Sequence, residues 1–129
     1  MIVGVGIDLV EVGRIRDSME RFGERFLARI LTPAEVAYCA SHPEPAIHVA
    51  ARFAAKEAVG KAFGTGIGLE LAWHDAEVLR NPAGKPELRL HGKGAEMALA
   101  WGIDQIHLSL THTATSAAAV VILESREKN

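Results

Sequence analysis

Residues 52–66, which read R-F-A-A-K-E-A-V-G-K-A-F-G-T-G, constrain the fold more than any other stretch of the chain. Alanine is the best helix former, and the alanines here recur with Phe53 at three- and four-residue steps, which predicts a helix with an apolar stripe. A helix whose side chains are so small and apolar is unsuited to the protein surface, so we expect other elements to pack on it. The glycines that follow, beginning with Gly64, stop the helix and let a ligand approach the backbone closely.

The same helix carries four charged residues, Arg52, Lys56, Glu57 and Lys61. Glu57 and Lys61 are four residues apart and therefore share a face. One interpretation is a solvated salt bridge, because a glutamate four residues before a lysine is the favoured orientation for such a pair. The other is a metal-phosphate site, since a carboxylate, an ammonium group and a glycine turn side by side suit that chemistry. The helix alone leaves both open.

Asp8 interrupts an apolar segment, residues 2–9, in which β-branched residues alternate with glycine. This pattern predicts a buried strand whose backbone lies close to another element. A carboxylate in such a strand is costly if it is buried without a partner. Asp8 either ends the strand and caps the next helix or serves as a metal ligand at the carboxyl end of the strand, and both can hold together.

Residues 12–30 predict a helix whose faces are chemically sorted. Wound at about 100° per residue, its apolar residues share one sector, and a neighbouring sector of about 80° holds Arg14, Arg21, Arg25 and Arg29. An arginine row beside an apolar face suits an acidic protein partner. The alternative is a solvated face with ion pairs four residues apart, and Gly23 can break the helix and spoil the alignment.

The rest of the chain predicts one more short helix and then mainly strands. Thr32, Pro33 and Glu35 form a helix start with a capping box. We expect strands at residues 75–80, 87–90, 106–110 and 117–123, and a helix at residues 93–101. The order lacks the strict strand–helix alternation of a parallel sheet. We therefore predict a single α+β domain over residues 1–129, with a small, mostly antiparallel sheet and the long helix packed on it.

Two turns hold candidate anion-binding groups. Residues 84–86, G-K-P, either present Lys85 to a phosphate or form a plain hairpin tip. His112, which we place just past a strand, either binds an oxyanion with its flanking threonines or is exposed and idle. His42 and His48 have no metal-ligating companion at a useful spacing, and we interpret both as ordinary surface residues.

Composition narrows the class of protein. The net charge of −2 gives no global signal for nucleic acid or an anionic membrane. The single cysteine, Cys39, allows no internal disulfide and is interpreted as a buried small residue. No apolar run approaches the ~18 residues that cross a bilayer, and the N-terminus lacks the basic leader of a signal peptide. These features predict a soluble cytoplasmic protein.

Four segments together resemble the holo-[acyl-carrier-protein] synthases, the short, homotrimeric class of 4′-phosphopantetheinyl transferase. They are G-I-D-L-V at residues 6–10, residues 52–66, G-K-P at residues 84–86 and S-L-T-H at residues 109–112. The likeness runs over nearly the whole chain. K-E-A-x-x-K preceded by the aromatic Phe53 is fairly specific, and G-I-D near the N-terminus makes the combination highly specific.

The resemblance implies the phosphopantetheinyl transferase fold and an enzyme of fatty acid biosynthesis. The 4′-phosphopantetheine arm of coenzyme A moves to a serine of apo-acyl-carrier protein, and adenosine 3′,5′-bisphosphate is released. By the same resemblance Asp8 and Glu57 bind Mg²⁺ together with the pyrophosphate of coenzyme A, which accounts for an acid in an apolar strand. Magnesium takes one or two carboxylates with phosphate oxygens and waters. The acceptor of the serine proton stays open between Asp8, Glu57 and a water on the metal.

Further roles are implied for the other residues of these motifs. Lys61, one turn beyond Glu57, is expected to reach the same phosphates and stabilise the developing charge, so the catalytic candidates are Asp8, Glu57 and Lys61. The candidates for contact with coenzyme A are Arg52, Lys61, Gly64, Lys85, Pro86 and His112.

The resemblance also implies a partner and an assembly. Acyl-carrier proteins are acidic and dock on the first helix of this family, so Arg14, Arg21 and Arg25 become the leading contact candidates. The family is homotrimeric with sites shared between neighbouring subunits. Val10 stands where the larger, single-chain transferases have a second acid, so we expect one carboxylate fewer here, with water in its place.

Two other functions use the same residues. A magnesium-dependent pyrophosphate or nucleotide hydrolase would need Asp8, Glu57 and Lys61 but has no use for the arginine row, and it would consume coenzyme A without carrier protein. A trimeric nucleotide-binding or scaffold protein with a vestigial site would bind coenzyme A without transfer. Intact metal ligands weigh mildly against the scaffold.

Overall fold

A three-stranded sheet with a long helix on one face forms the centre of the fold, seen in a computed structural model that describes residues 1–68 and 70–126. The elements, in chain order, are β1 (Ile2–Glu11), α1 (Val12–Phe22), α2 (Glu24–Ile30), α3 (Pro33–Ala40), α4 (Pro45–Phe63), a 3₁₀ turn (Trp73–Asp75), β2 (Ala76–Arg80), β3 (Pro86–Leu90), α5 (Gly92–Ala100), β4 (Ile103–His112) and β5 (Ser116–Ser125).

The strands form two antiparallel sheets. β5 lies between β1 and β4, and β2 pairs with β3 in a separate hairpin. The predicted α+β class, with antiparallel strands and the long helix packed on them, is confirmed. The division into two sheets is a refinement that the strand pattern did not reveal.

Glycines at positions 4 and 6 bring β1 against α4. A Cβ atom on Gly6 would overlap the carbonyl oxygen of Ala58, and one on Gly4 would overlap that of Ala62. The predicted close approach of another element to this strand is therefore confirmed. The strand is not buried on both faces, however: Val5, Ile7 and Leu9 point away from α4 with 57%, 66% and 68% of their surface exposed.

Helix α4 is buried on nearly all sides. Its alanines at positions 50, 54, 55 and 58 have no exposed surface, and its small side chains let β1 and β5 approach. The helix ends at Gly64, whose φ of 80° is the left-handed conformation that glycine adopts readily. The central, packed helix expected from the alanine pattern is confirmed.

The helices before α4 differ in part from the prediction. Residues 12–30 form two helices, because Gly23 adopts a φ of 58° and ends α1. The capping box that begins α3 is confirmed: Glu35 N donates to Thr32 Oγ1 (3.3 Å), and Thr32 N donates to Glu35 Oε1 (2.8 Å).

Two smaller expectations also have an outcome. Cys39 is a buried free thiol, as predicted, and burial raises its pKa to about 11. Over the described ranges, the structure has no helix both long and apolar enough to span a membrane.

Candidate active site

Asp8, Glu57 and Lys61 meet where β1 passes α4. Lys61 Nζ donates to Asp8 Oδ1 (3.0 Å) and to the carbonyl oxygen of Ile7 (3.1 Å). Asp8 shares the helix-facing side of β1 with Gly6, because alternate residues of a strand point the same way. It lies inside the strand, opposite Ala119. Both sequence-based placements of Asp8, as the strand end and as a helix cap, are wrong, since β1 continues to Glu11 and Glu11 occupies the N-cap of α1.

Glu57 lies close enough to Asp8 for the two carboxylates to repel each other. Burial, and then the charge of Asp8, raise the pKa of Glu57, while Lys61 acts in the opposite direction. The charged form of Glu57 is therefore disfavoured in the free protein, and a cation bound beside it would stabilise that charged form and offset both effects.

A pocket of about 270 Å³ opens beside these carboxylates, and Asp8, Glu57, Phe53, Arg14 and Ser18 are among its lining residues. Across the described chain, no three His, Cys, Asp or Glu side chains are grouped so as to hold a metal ion. The donor set is thus two carboxylates with open space beside them. This set fits Mg²⁺, which commonly takes one or two protein carboxylates and completes its shell with waters and substrate phosphates.

A groove continues from this pocket over α1 and α2. Ser18 and Phe26 line both, and Phe22, Arg25 and Arg29 complete the groove, which has a volume of about 380 Å³. Within the described residues no carboxylate lies within ion-pair distance of Arg14, Arg21 or Arg25. Phe22 is half exposed beneath the guanidinium of Arg21, which lies 5.5 Å from the ring centroid.

A second polar cluster, which we call the aromatic cluster, surrounds Tyr38. Its members are Tyr38, His42, His48, Arg52, Arg80 and His112. The rings of His42 and His48 are 4.0 Å apart between centroids, and those of His48 and His112 are 6.0 Å apart. Burial, then the neighbouring His42 and Arg52, lower the pKa of His48 to about 4.

Arg52 is the buried cation of this cluster. Only 1% of its surface is exposed, and its Cζ atom lies 4.1 Å from the centroid of the Tyr38 ring. One Nη atom reaches the carbonyl oxygen of His48 (3.4 Å), while Nε has no hydrogen-bond partner among the described residues. Nearly all buried polar groups in proteins are hydrogen-bonded, so this donor is a group that the described chain leaves unsatisfied.

The β2–β3 turn adjoins the aromatic cluster through Arg80. Arg80 lies 5.1 Å from the Tyr38 ring and pairs across the hairpin with Pro86. Lys85 lies exposed in this turn, and its backbone N–H donates to Asn81 Oδ1 (2.9 Å). Gly64 lies elsewhere, at the end of α4 next to Lys61. The structure thus gathers Arg52, His112 and the turn in one region, and Asp8, Glu57, Lys61 and Gly64 in another.

Comparison with known proteins decides the family. The model of the 4′-phosphopantetheinyl transferase superfamily matches residues 4–120. The holo-[acyl-carrier-protein] synthase of Koribacter versatilis is 54% identical over 124 residues, which cover 96% of this chain and 99% of the relative. The chain belongs to the holo-[acyl-carrier-protein] synthases.

Solved structures of holo-[acyl-carrier-protein] synthases agree with this assignment. The enzyme from Neisseria meningitidis superposes with a TM-score of 0.89 at 34% identity, covering 97% of this chain and 100% of the other. The enzyme from Helicobacter pylori, solved in complex with coenzyme A, superposes with a TM-score of 0.83 at 34% identity, covering 93% and 99%.

Sequence reasoning missed four residues of this synthase that the structure brings together. They are Tyr38 in α3, His42 in the loop after it, His48 in α4 and Arg80 in β2. The interpretation of both histidines as ordinary surface residues is wrong, because they are partly buried and their rings are stacked. The one available signal was the spacing of Tyr38 and His42, four residues apart, which places two rings together at the end of a helix. His112 ends β4 rather than following it.

Proposed function

We propose that this chain performs the reaction of its family with Asp8, Glu57 and Lys61 as the reacting end of the site. The reaction itself follows from family membership: the enzyme transfers 4′-phosphopantetheine from coenzyme A to a serine of apo-acyl-carrier protein and releases adenosine 3′,5′-bisphosphate. The observation that carries the residue assignment is the meeting of two carboxylates and a lysine beside an open pocket.

Asp8 and Glu57 are the proposed ligands of Mg²⁺. The raised pKa of Glu57 supports this, because its charge is disfavoured by burial and by Asp8 in the free protein. When bound, magnesium neutralises negative charge on the pyrophosphate and orients the reacting groups. Val10 faces the same side of β1 two residues after Asp8 and supplies no third carboxylate.

Lys61 is the proposed phosphate contact. Its side chain is 54% exposed while its Nζ rests on Asp8. Nζ also donates to the carbonyl oxygen of Ile7, and a lysine whose side chain is largely in solvent gives up such contacts at modest cost. We infer that Nζ turns to the phosphates of coenzyme A and stabilises the charge that develops as the phosphoanhydride bond breaks. Gly64, at the end of the same helix, leaves room for the cofactor to approach the backbone.

The aromatic cluster is the proposed site for the nucleotide end of coenzyme A. Arg52 has an unused donor, which a phosphate would reach once the side chains that cover it move aside, and it has no carboxylate partner in the described chain. His112 lies on the same side. Lys85, in the turn next to Arg80, adds a further positive charge to this surface, and Pro86 follows it at the start of β3. A 3′-phosphate and an adenine ring are the charge and the flat surface that guanidinium and imidazole groups bind well.

A homotrimer would combine the two regions. The outward face of β1, with Val5, Ile7 and Leu9, is an exposed apolar patch beside Val120 and Ile122 of β5. Such a patch marks an interface. We propose that it packs against further copies of the chain, so that the aromatic cluster of one subunit faces the carboxylates of its neighbour and the two form one shared site.

The groove over α1 and α2 is the proposed docking surface for the carrier protein. Arg14, Arg21 and Arg25 lack ion-pair partners within the described residues, and Phe22 and Phe26 supply an apolar floor. Acidic side chains on the carrier would pair with the arginines and steer its approach. Since Arg14 also lines the carboxylate pocket, a docked carrier would bring its serine to the reacting end. We place the reaction in the cytoplasm, where a free thiol such as Cys39 stays reduced.

Intact mass spectrometry tests the proposal directly. Apo-acyl-carrier protein is incubated with this protein, coenzyme A and Mg²⁺, and the expected result is a gain of one phosphopantetheine group that a chelator abolishes. Consumption of coenzyme A without that gain would identify a hydrolase instead. Binding of coenzyme A with neither transfer nor consumption would leave a binding protein with a vestigial site.

A further inference from the structure

Lys56 is the neighbour of Glu57, yet it points into the core rather than into the carboxylate pocket. Neither its side chain nor that of Glu35 has any exposed surface. Lys56 Nζ donates to Glu35 Oε1 (2.8 Å) and to the carbonyl oxygen of Trp73 (2.9 Å). The first lysine of the K-E-A-x-x-K motif is therefore out of reach of a ligand in the pocket.

The carboxylate of Glu35 is fully used in this buried pair. Oε1 also accepts from Thr32 N (2.8 Å), and Oε2 accepts from Val78 N (2.7 Å). Burial lowers the pKa of Lys56, and the charge of Glu35 opposes that shift. The pair joins α4 to α3, to the 3₁₀ turn and to β2. A buried pair with this many hydrogen bonds specifies one arrangement of the elements that it joins.

Helix α4 needs such a contact because its own side chains define its rotation weakly. Alanine repeats around the helix, and apolar residues are buried on all its sides. Turning or sliding the helix would often replace one alanine by another, so the alanines do little to specify its rotation and its position along its axis. A single buried polar contact can do so, as a lone asparagine does for the register of a coiled coil.

The rotation of α4 about its axis determines where Glu57 lies. Adjacent helical residues point about 100° apart, so directing Lys56 toward α3 and β2 directs Glu57 toward β1 and Asp8. The same lysine holds the backbone of Trp73, whose ring lies 5.0 Å from that of Phe53 between centroids. Phe53 lines the carboxylate pocket. The contacts of Lys56 thus position both the carboxylate of Glu57 and the ring of Phe53, which lines the pocket.

We propose that Lys56 is a positioning residue: paired with Glu35, it sets the rotation of α4 and thereby places Glu57 against Asp8 and Phe53 against the pocket. The proposal rests on the function proposed above for the two carboxylates. It assigns no contact with substrate to Lys56.

The test separates positioning from stability with an uncharged pair. Glu35→Gln with Lys56→Met removes both charges, which avoids leaving one buried charge alone. Val59→Ala is the matched control, because Val59 is fully buried in the same helix and takes no part in the polar contacts. The double variant should fold but lose about 10- to 100-fold in kcat, as small misplacements of reacting groups do. Its KM for acyl-carrier protein should stay unchanged, and the control should keep its kcat.

Tryptophan fluorescence gives a readout that does not depend on activity. Trp101→Phe leaves Trp73 as the single tryptophan of the chain. In that background the emission of Trp73 should shift in the double variant and stay constant in the Val59→Ala control.

Folding is monitored by circular dichroism, and kcat is expressed per folded molecule. If the double variant is partly unfolded, sucrose shifts it to the folded state, and kcat should remain low. If the first double variant does not fold, a second one, Glu35→Gln with Lys56→Gln, takes its place. It keeps a hydrogen bond between the two side chains, but the shorter glutamine forms that bond at a different position. Either pair with a wild-type kcat and wild-type Trp73 emission, or recovery of kcat together with folding, would overturn the proposal. Lack of transfer by the unmodified protein would count against the proposed function, and Trp73 emission alone would then decide this inference.

Discussion

Lys56 and Glu57 are adjacent in α4, but they differ in burial and in hydrogen bonding. Lys56 is fully buried, and its ammonium group is bonded to Glu35 and to the carbonyl oxygen of Trp73. Glu57 is half-buried, accepts no hydrogen bond from the described residues, and has a raised pKa because of burial and Asp8. Polar groups that are hydrogen-bonded within the chain stabilise its fold, whereas those without a partner in the chain are the candidates for binding a ligand or another molecule.

The same contrast holds elsewhere. Arg52 is as buried as Lys56 but has a donor without a partner. Ile7 of β1 is as apolar as the core residues but two-thirds exposed. Each of these groups is unsatisfied in one chain alone, and each has a proposed partner: a phosphate for Arg52 and a second subunit for Ile7.

The largest effect is expected for Glu57→Gln. Transfer should fall by about 10²–10³-fold, the usual cost of one electrostatic contact to the reacting groups, while the melting temperature stays equal or rises because a disfavoured charge is removed. Transfer rate and thermal unfolding are measured together, with Glu96→Gln, an exposed glutamate of α5, as control. A near-wild-type rate would remove Glu57 from the site.

The exposed face of β1 is tested by Ile7→Asp. A charge placed in an apolar interface costs several kcal/mol, and each 1.4 kcal/mol weakens association about tenfold, so light scattering should show monomers in place of the proposed trimer. Transfer should fall with the fraction of trimer. Leu99→Asp, at a more exposed leucine of α5, should change neither. A stable, active monomer would contradict the shared site.

The unpaired arginines are tested by Arg14→Glu with Arg21→Glu. The Kd for acyl-carrier protein should rise about tenfold or more, because attraction to an acidic surface becomes repulsion, while affinity for coenzyme A changes little. Arg16→Glu is the matched control, since Arg16 lies on the same helix but already pairs with Glu44 (3.4 Å). Calorimetric titration with each ligand distinguishes the two affinities, and equal losses for both would refute docking on this surface.

The smallest effect concerns His48. Burial, then His42 and Arg52, lower its pKa to about 4 from a usual value of 6.5. Between these values the unfolded chain binds the proton more strongly than the folded chain, so stability should fall as the pH decreases from about 6.5 to 4 and should be unaffected above. His48→Phe should reduce this dependence in thermal melts at pH 5 and pH 8. His107→Gln, at a histidine paired with Glu124 instead, should retain it.

The parts of the fold that local chemistry controls were predictable. The capping box at Thr32, the helix stop at Gly64 and the glycines of β1 each depend on neighbouring residues, and each is confirmed. Asp8 was recognisable as an anomaly because a carboxylate in an apolar strand is costly to bury without a partner. Its position within β1 was not predictable, because only pairing with β5 extends the strand to Glu11.

The aromatic cluster was not predictable, because tertiary packing alone assembles it. Tyr38, His48 and Arg80 belong to three different elements, and no sequence pattern around any of them marks the other two. The role of Lys56 was hidden for the same reason: its partner Glu35 is 21 residues away and carries a local capping pattern of its own. Motifs thus indicate the residues that we propose to face ligands more readily than the residues that position them.

The two glycines of β1 have a last consequence. Because Gly4 and Gly6 let main chain rest directly on main chain at Ala62 and Ala58, the gap between the strand that bears Asp8 and the helix that bears Glu57 is a backbone dimension. Side chains hop between rotamers, but a peptide plane in a helix or strand has no such alternatives. The distance between the two backbone segments that carry these carboxylates is therefore set by main-chain contact, and it should stay constant as rising temperature loosens the side-chain packing around it.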